Sequence, residues 1–311
     1  MKRILTLLAA TLLPLALLAQ TTVSQEDYLR RYNNLVTRMG ASGIGVETLV
    51  DKWAADWPED VNAYLARFSY WFNKAQTTSV IQLPQDRYLG REPLLPMTDS
   101  LGRKNNYFED TTYEDESFGQ ALEALDQAIR LAPERLDIRF LRADALIAYE
   151  KGSPDMALSY LKELADENFQ KHPAWKHDSL EKVDDEVFKA LMQDYCFTFF
   201  RLGTPSAAEA FKSLSEHLLK YSKDDPLFLD NIGSYYLVHQ KDYKKALKYY
   251  NQVLKKHPDD VTAIRNCILL ARNKKDLKLE KKYLAMMAQY GTSEVDKASA
   301  SARLDALNQK K

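Results

Sequence analysis

Along most of this chain apolar residues recur every three or four positions, which predicts amphipathic helices rather than strands. The first helix predicted is Ser24 to Met39, with Ser24 as its N-cap. Gly40, Gly43 and Gly45 break it. A second runs from Val46 to Asp56 and stops at Trp57-Pro58, and a third runs from Asp60 to Ala75. Helix pairs are then expected at about 136–166, 183–220, 227–257 and 261–290. An Ala-rich helix from Ser293 to Asn308 closes the pattern, with Ser293 capping it and Asp296 three residues on.

Within the pairs a repeat is visible. QALEALDQAIRLAPE carries Ala121, Leu125, Ala128 and Pro133. KALKYYNQVLKKHPDD carries Ala246, Tyr250, Val253 and Pro258 at the same spacing. Looser copies begin at Ala157 and Ala210. The leading alanines are separated by 36, 53 and 36 residues, and the 17-residue excess falls near Asn168 to Lys182. A period in the mid-thirties with one helix pair per unit is the mark of a helical solenoid. The leading alanine is small because two helices cross closely there.

The helical pattern lapses over residues 76–116, which hold Pro84, Pro93 and Pro96. PLLPMTDSLGRKNNYFED reads as two short strands around a turn at Asp99-Ser100-Leu101-Gly102. The missing second helix of that pair resumes at QALEALDQAIRLAPE, so the segment is an insertion between two paired helices. Tyr88, Leu94, Leu95, Met97, Tyr107 and Phe108 argue against plain disorder there.

These residues resemble the tetratricopeptide repeat (TPR) family. The best stretch is NIGSYY…DYKKALKYY…HPDD: Asn231, Ile232, Gly233 and Tyr236 resemble the family's first-helix pattern, and Ala246, Tyr250 and Pro258 its second. FLRADALIAYEKGSPDMALSYLKEL, with Ala143 and Ala157, is a second match. The resemblance covers most of 46–290. It implies an all-α, right-handed TPR-like solenoid with a partly β insertion in one early repeat. The chain divides accordingly into 1–19, 20–75, 76–116, 117–290 and a capping helix over 291–311. The resemblance also implies a concave groove lined by the first helices, holding Asp137, Phe140 and Asp144, then Gln193, Phe197 and Phe200, then Asp230 and Ser234. That lining is acidic and aromatic and lacks the Lys/Asn set with which some family members grip a peptide's terminal carboxylate. It suits an extended polypeptide with apolar and basic side chains. Phe199 and Phe200 point about 100° apart on a helix, so one of them is expected to face outward.

Lys2 and Arg3 followed by an apolar run from Ile4 to Leu18 and small Ala19 read as a secretory signal peptide cleaved after Ala19. The mature chain is then an exported, periplasmic or cell-envelope protein, with no later stretch apolar enough to span a membrane. The formal charge of −1 gives no reason to expect nucleic acid. The charges are segregated, however. Residues 109–170 hold 15 acidic and 6 basic side chains, and 240–290 hold 5 acidic and 13 basic. The plain reading is two solvated helix faces; the sharper one is an acidic middle and a basic end that meet other molecules, or each other head to tail. Cys196 and Cys267 fall in helices two pairs apart, too far for a disulfide, and are expected as free core thiols. None of the five histidines has metal-binding spacing, and no phosphate loop, GxSxG or CxxC occurs. The expectation is therefore an interaction scaffold with a protein or peptide partner and no cofactor, metal or catalytic residue. Two alternatives stand: a small-molecule binder or enzyme with its site under the 76–116 insertion, and a structural subunit of an envelope assembly.

Overall fold

In a computed structural model, residues 23–178, 180 and 182–309 are described. The signal-peptide segment lies outside them. The described chain is a TPR-like array of antiparallel helix pairs with a small β insertion. Three helices open it: α1 (Gln25–Met39), α2 (Val46–Asp56) and α3 (Val61–Ala75). Strands β1 (Gln76–Leu83) and β2 (Asn106–Tyr113) follow, and α4 (Asp115–Leu131) then packs back along α3. Four pairs come next: α5 (Leu136–Glu150) with α6 (Asp155–Lys171), α7 (Asp185–Leu202) with α8 (Pro205–Leu218), α9 (Pro226–Val238) with α10 (Tyr243–Lys256), and α11 (Val261–Lys274) with α12 (Leu277–Tyr290). Helix α13 (Glu294–Gln309) lies against α12.

The helices begin where a short polar side chain can take up a free amide. Ser24, Asp60, Asp184, Thr204, Asp225, Asp242, Asp260 and Asp276 each accept from a first-turn N–H. The small residues sit where the helices cross. Ala121, Ala157 and Ala246 are wholly buried, and a Cβ on Gly233 of α9 would fall 2.5 Å from the Tyr250 ring of α10. Larger side chains would push the paired axes apart. Cys196 and Cys267 are buried, free thiols.

The insertion differs in detail from the sequence reading. A turn does form at Asp99–Gly102, where the Gly102 N–H donates to the Asp99 carbonyl at 3.0 Å, with bridges at Thr98–Lys104 and Leu95–Tyr107 around it. The main hairpin is larger. Strand β1 continues directly from α3 and pairs antiparallel with β2 from Gln76–Tyr113 to Leu83–Asn106 without a bulge. The excess after α6 folds back over the α4–α5 turn: Lys176 N–H donates to Glu134 O at 2.8 Å and Leu136 N–H to Lys176 O at 2.9 Å. Buried Trp175 fixes it there, donating from Nε1 to Asn168 Oδ1 at 2.9 Å.

Candidate functional site

The first helices α5, α7 and α9 stack side by side, and the structure sorts the eight residues expected in a groove into different tasks. Phe140 is only 7% exposed, with its ring 5.1 Å from that of Tyr195. It belongs to the core, because α7 lays Tyr195 over it. Asp137 is half-buried and paired with Arg135 at 2.5 Å. Gln193 and Asn231 exchange amide hydrogen bonds at 2.9 and 2.7 Å, tying α7 to α9. Ser234 lies 3.2 Å from the Tyr250 hydroxyl. Phe200 is half-buried, edge-on to His239 at 5.5 Å and 5.1 Å from Phe211. Asp230 is 6% exposed, and its Oδ1 has no hydrogen-bond partner among the described residues; burial pushes its carboxyl up to about 8. Such a group keeps its proton far above the ordinary carboxylate range because ionising it without a partner is costly.

Two of the eight remain open. Phe197 is 53% exposed, while its neighbour Phe199 is fully buried, so the outward aromatic of α7 is Phe197. The Arg201 guanidinium stands 5.7 Å above the Phe197 ring. Asp144, on α5, faces a recess of about 380 Å³ between α5, α7 and the insertion. Tyr195 donates to its carboxylate at 2.9 Å. The surrounding protein still raises the Asp144 carboxyl above its ordinary value, because desolvation outweighs that hydrogen bond.

The insertion roofs this recess and is firmly docked. The backbone at Gly90 has φ +76°, and a Cβ there would sit 2.1 Å from the Arg201 carbonyl oxygen. Only glycine permits both the conformation and the approach. A Cβ on Gly152 would meet Thr204 Cγ2 at 2.7 Å and Leu89 at 3.1 Å, so the α5–α6 turn is pressed against the same contact. Asp110 of β2 accepts from Tyr88 at 3.0 Å and from Lys151 at 2.7 Å, which closes the roof onto α5. Ile147, Ala148 and Leu202 give the recess apolar walls.

The charges in the recess divide cleanly. Lys151 is matched by Asp110, and Arg91 stands 3.8 Å from Glu109. Asp144 and Arg201 are left without an ion-pair partner among the described residues. One acid and one cation therefore face a half-apolar recess beside an exposed phenylalanine. Of the residues at this recess, the sequence reading named Asp144 and Phe197; Arg201, Asp110, Lys151 and Gly90 emerge from the structure. The available signal was the Leu89-Gly90 pair within the insertion. No group of three or more metal-binding side chains occurs among the described residues, and no described helix is long and apolar enough to cross a membrane.

No protein-family profile matches the chain, and no curated protein matches it. Solved structures similar in outline include the following two. One is PilF of Pseudomonas aeruginosa, 11% identical, covering 89% of this chain and 96% of that one with a TM-score of 0.35. The other is the TPR2AB domain of yeast Sti1 in complex with pHSP90, 13% identical, covering 92% and 97% with a TM-score of 0.30. At that level of similarity neither assigns a ligand or a residue role to this chain.

Proposed function

We propose that this chain is an exported interaction scaffold that holds a segment of another polypeptide across α5 and α7. The observation that carries the reading is Phe197, 53% exposed beside a recess that holds the unmatched Asp144 and Arg201. A polypeptide offers all three complements: an apolar side chain for the ring, a cation or donor for Asp144, and a carboxylate or carbonyl for Arg201. Export rests on the Lys2–Ala19 segment alone.

Selection of peptides from a random display library on the purified protein tests the reading. Recovered segments should carry an apolar residue flanked by charges. Phe197→Ala and Arg201→Ala should each weaken binding by about tenfold, near 1.4 kcal/mol, without lowering the melting temperature. Binding indifferent to both substitutions removes the assignment.

A second reading is supported by the docked roof: a small molecule held in the recess itself, whose size suits one. It predicts ligand-induced stabilisation that Asp144→Asn or Arg201→Ala abolishes and Phe197→Ala leaves intact. The two readings therefore part on Phe197.

A further inference from the structure

Strand β1 has the sequence QTTSVIQL, without a charge, a proline or a glycine. Its residues Thr77 to Val80 are exposed one after another, with none of the alternation of a half-covered strand, so neither face of this stretch is covered. One edge pairs with β2 in unbroken register. The far edge of β2 is partly taken as well: Leu94 N–H donates to Tyr107 O at 2.8 Å, and Asn105 N–H to Met97 O at 2.8 Å. The far edge of β1 pairs with no other segment among the described residues. Edge strands are ordinarily guarded by lysine, proline or a bulge, because open main-chain groups recruit another strand. Here none of these guards is present.

The phase of the ladder shows which groups are open. The Glu114 N–H donates to Ala75 O at 2.9 Å, one step beyond the Gln76–Tyr113 pair. In an antiparallel ladder bonded and non-bonded pairs alternate. The odd residues of β1 therefore bond to β2, and Gln76, Thr78, Val80 and Gln82 turn their N–H and C=O outward.

We propose that this edge pairs with β1 of a second copy of the chain, antiparallel, extending the hairpin into a continuous sheet through a two-fold axis at Ser79. In that register Gln76 faces Gln82 and Thr78 faces Val80, so every outward residue is matched. The pairing ends before Pro84, which has no N–H to offer. A second copy suits this edge because the strand carries no charge. Pairing a strand with itself about a two-fold axis brings like charges near that axis together, and β1 has none. Val80 is 63% exposed, which leaves apolar surface at the contact. The contact is smaller than a standard permanent interface, so the dimer forms only at elevated concentration. It is also distinct from the head-to-tail association that the segregated charges would drive, because that contact weakens in salt and this one does not.

Sedimentation of the purified protein across about 1 to 200 µM, at low and high salt, tests the proposal. The expected result is a monomer–dimer equilibrium indifferent to salt. Val80→Pro removes one outward N–H while leaving every bond to β2, and Val80→Lys keeps the N–H but sets two cations across the axis. Both should yield monomer with an unchanged circular dichroism spectrum. Ser79→Cys should form a disulfide-linked dimer on air oxidation, since residues facing each other in a non-bonded pair bring their Cα atoms to about 4.5 Å. Buried Cys196 and Cys267 do not compete for it. A monomer at every concentration overturns the proposal. So does a dimer that survives both Val80 substitutions, or one that high salt dissolves.

Discussion

Gly90 of the insertion lies against the Arg201 carbonyl at the end of α7 so closely that a Cβ would fall 2.1 Å from the oxygen. The contact joins residues more than a hundred positions apart and sets where the roof of the recess rests. Gly90→Ala must move the loop or strain it: the left-handed backbone alone costs about 1–2 kcal/mol in a non-glycine residue. The expected outcome is an undocked insertion on an intact array. Hydrogen exchange should accelerate at 86–92 and 106–113 and stay unchanged in α9 to α12. Unaltered exchange at 86–92 would show that the loop accommodates a side chain without leaving α7.

Phe197 and Phe200 lie one helical turn apart and should respond differently. Phe197 is exposed with the Arg201 guanidinium over its ring, whereas Phe200 packs on Phe211 and His239. Phe197→Ala is expected to change stability by no more than about 0.5 kcal/mol, as exposed positions do. Phe200→Ala, at a half-buried position, should cost roughly 2 kcal/mol, below the full penalty for a core phenylalanine. Urea unfolding of both variants gives the comparison. Equal losses would mean that Phe197 is a packing residue and no contact surface.

The contrast between these two aromatics shows how far the sequence carries. Periodicity placed the helix pairs, and the alanines at 121, 157 and 246 marked the crossings, because both signals are local and repeat. The resemblance to the TPR family also implied that Phe140 and Phe197 line the same groove. It could not show that Tyr195 of the next repeat covers one and leaves the other bare. Strand β1 was illegible for a related reason: no glycine or proline separates Ala75 from Gln76, and the strand's partner begins some thirty residues later. The recess draws its walls from the insertion, α5 and α7, so no single stretch of sequence announces it.

Glu280 in α12 is 2% exposed and bonded by Arg272 at 2.9 Å and by Arg303 of α13 at 3.1 Å. Burial works to raise its carboxyl, but the two guanidinium groups outweigh burial and hold it below the ordinary value of 4.5. This carboxylate therefore stabilises the docking of α13 above pH 4.5, and the contribution fades as pH falls through the lowered pKa. Glu280→Gln should loosen α13 by roughly 1–3 kcal/mol, since both arginines are half-exposed and rehydrate in part. Trypsin should then cleave at Arg303 before it cuts α9 or α10. Cleavage kinetics identical to wild type would show that apolar contacts such as Leu307 hold α13 alone.

Asp230 gives the opposite pH dependence. Its carboxyl is pushed up to about 8, first by burial and then by the charge of Asp260. Below its ordinary value of 3.8 it is protonated whether the chain is folded or not. Between there and about 8 the unfolded chain releases the proton and the folded chain keeps it. Stability therefore falls as pH rises through that window, by up to about 1.4 kcal/mol per unit. Asp230→Asn cannot ionise, so its stability should decline less between pH 5 and pH 8 than that of the wild type. The difference in slope is the readout, because the amide's own unmatched N–H groups shift the whole curve by a constant. Parallel curves would mean that Asp230 ionises in the folded protein after all, with water reaching the Oδ1 that has no partner among the described residues.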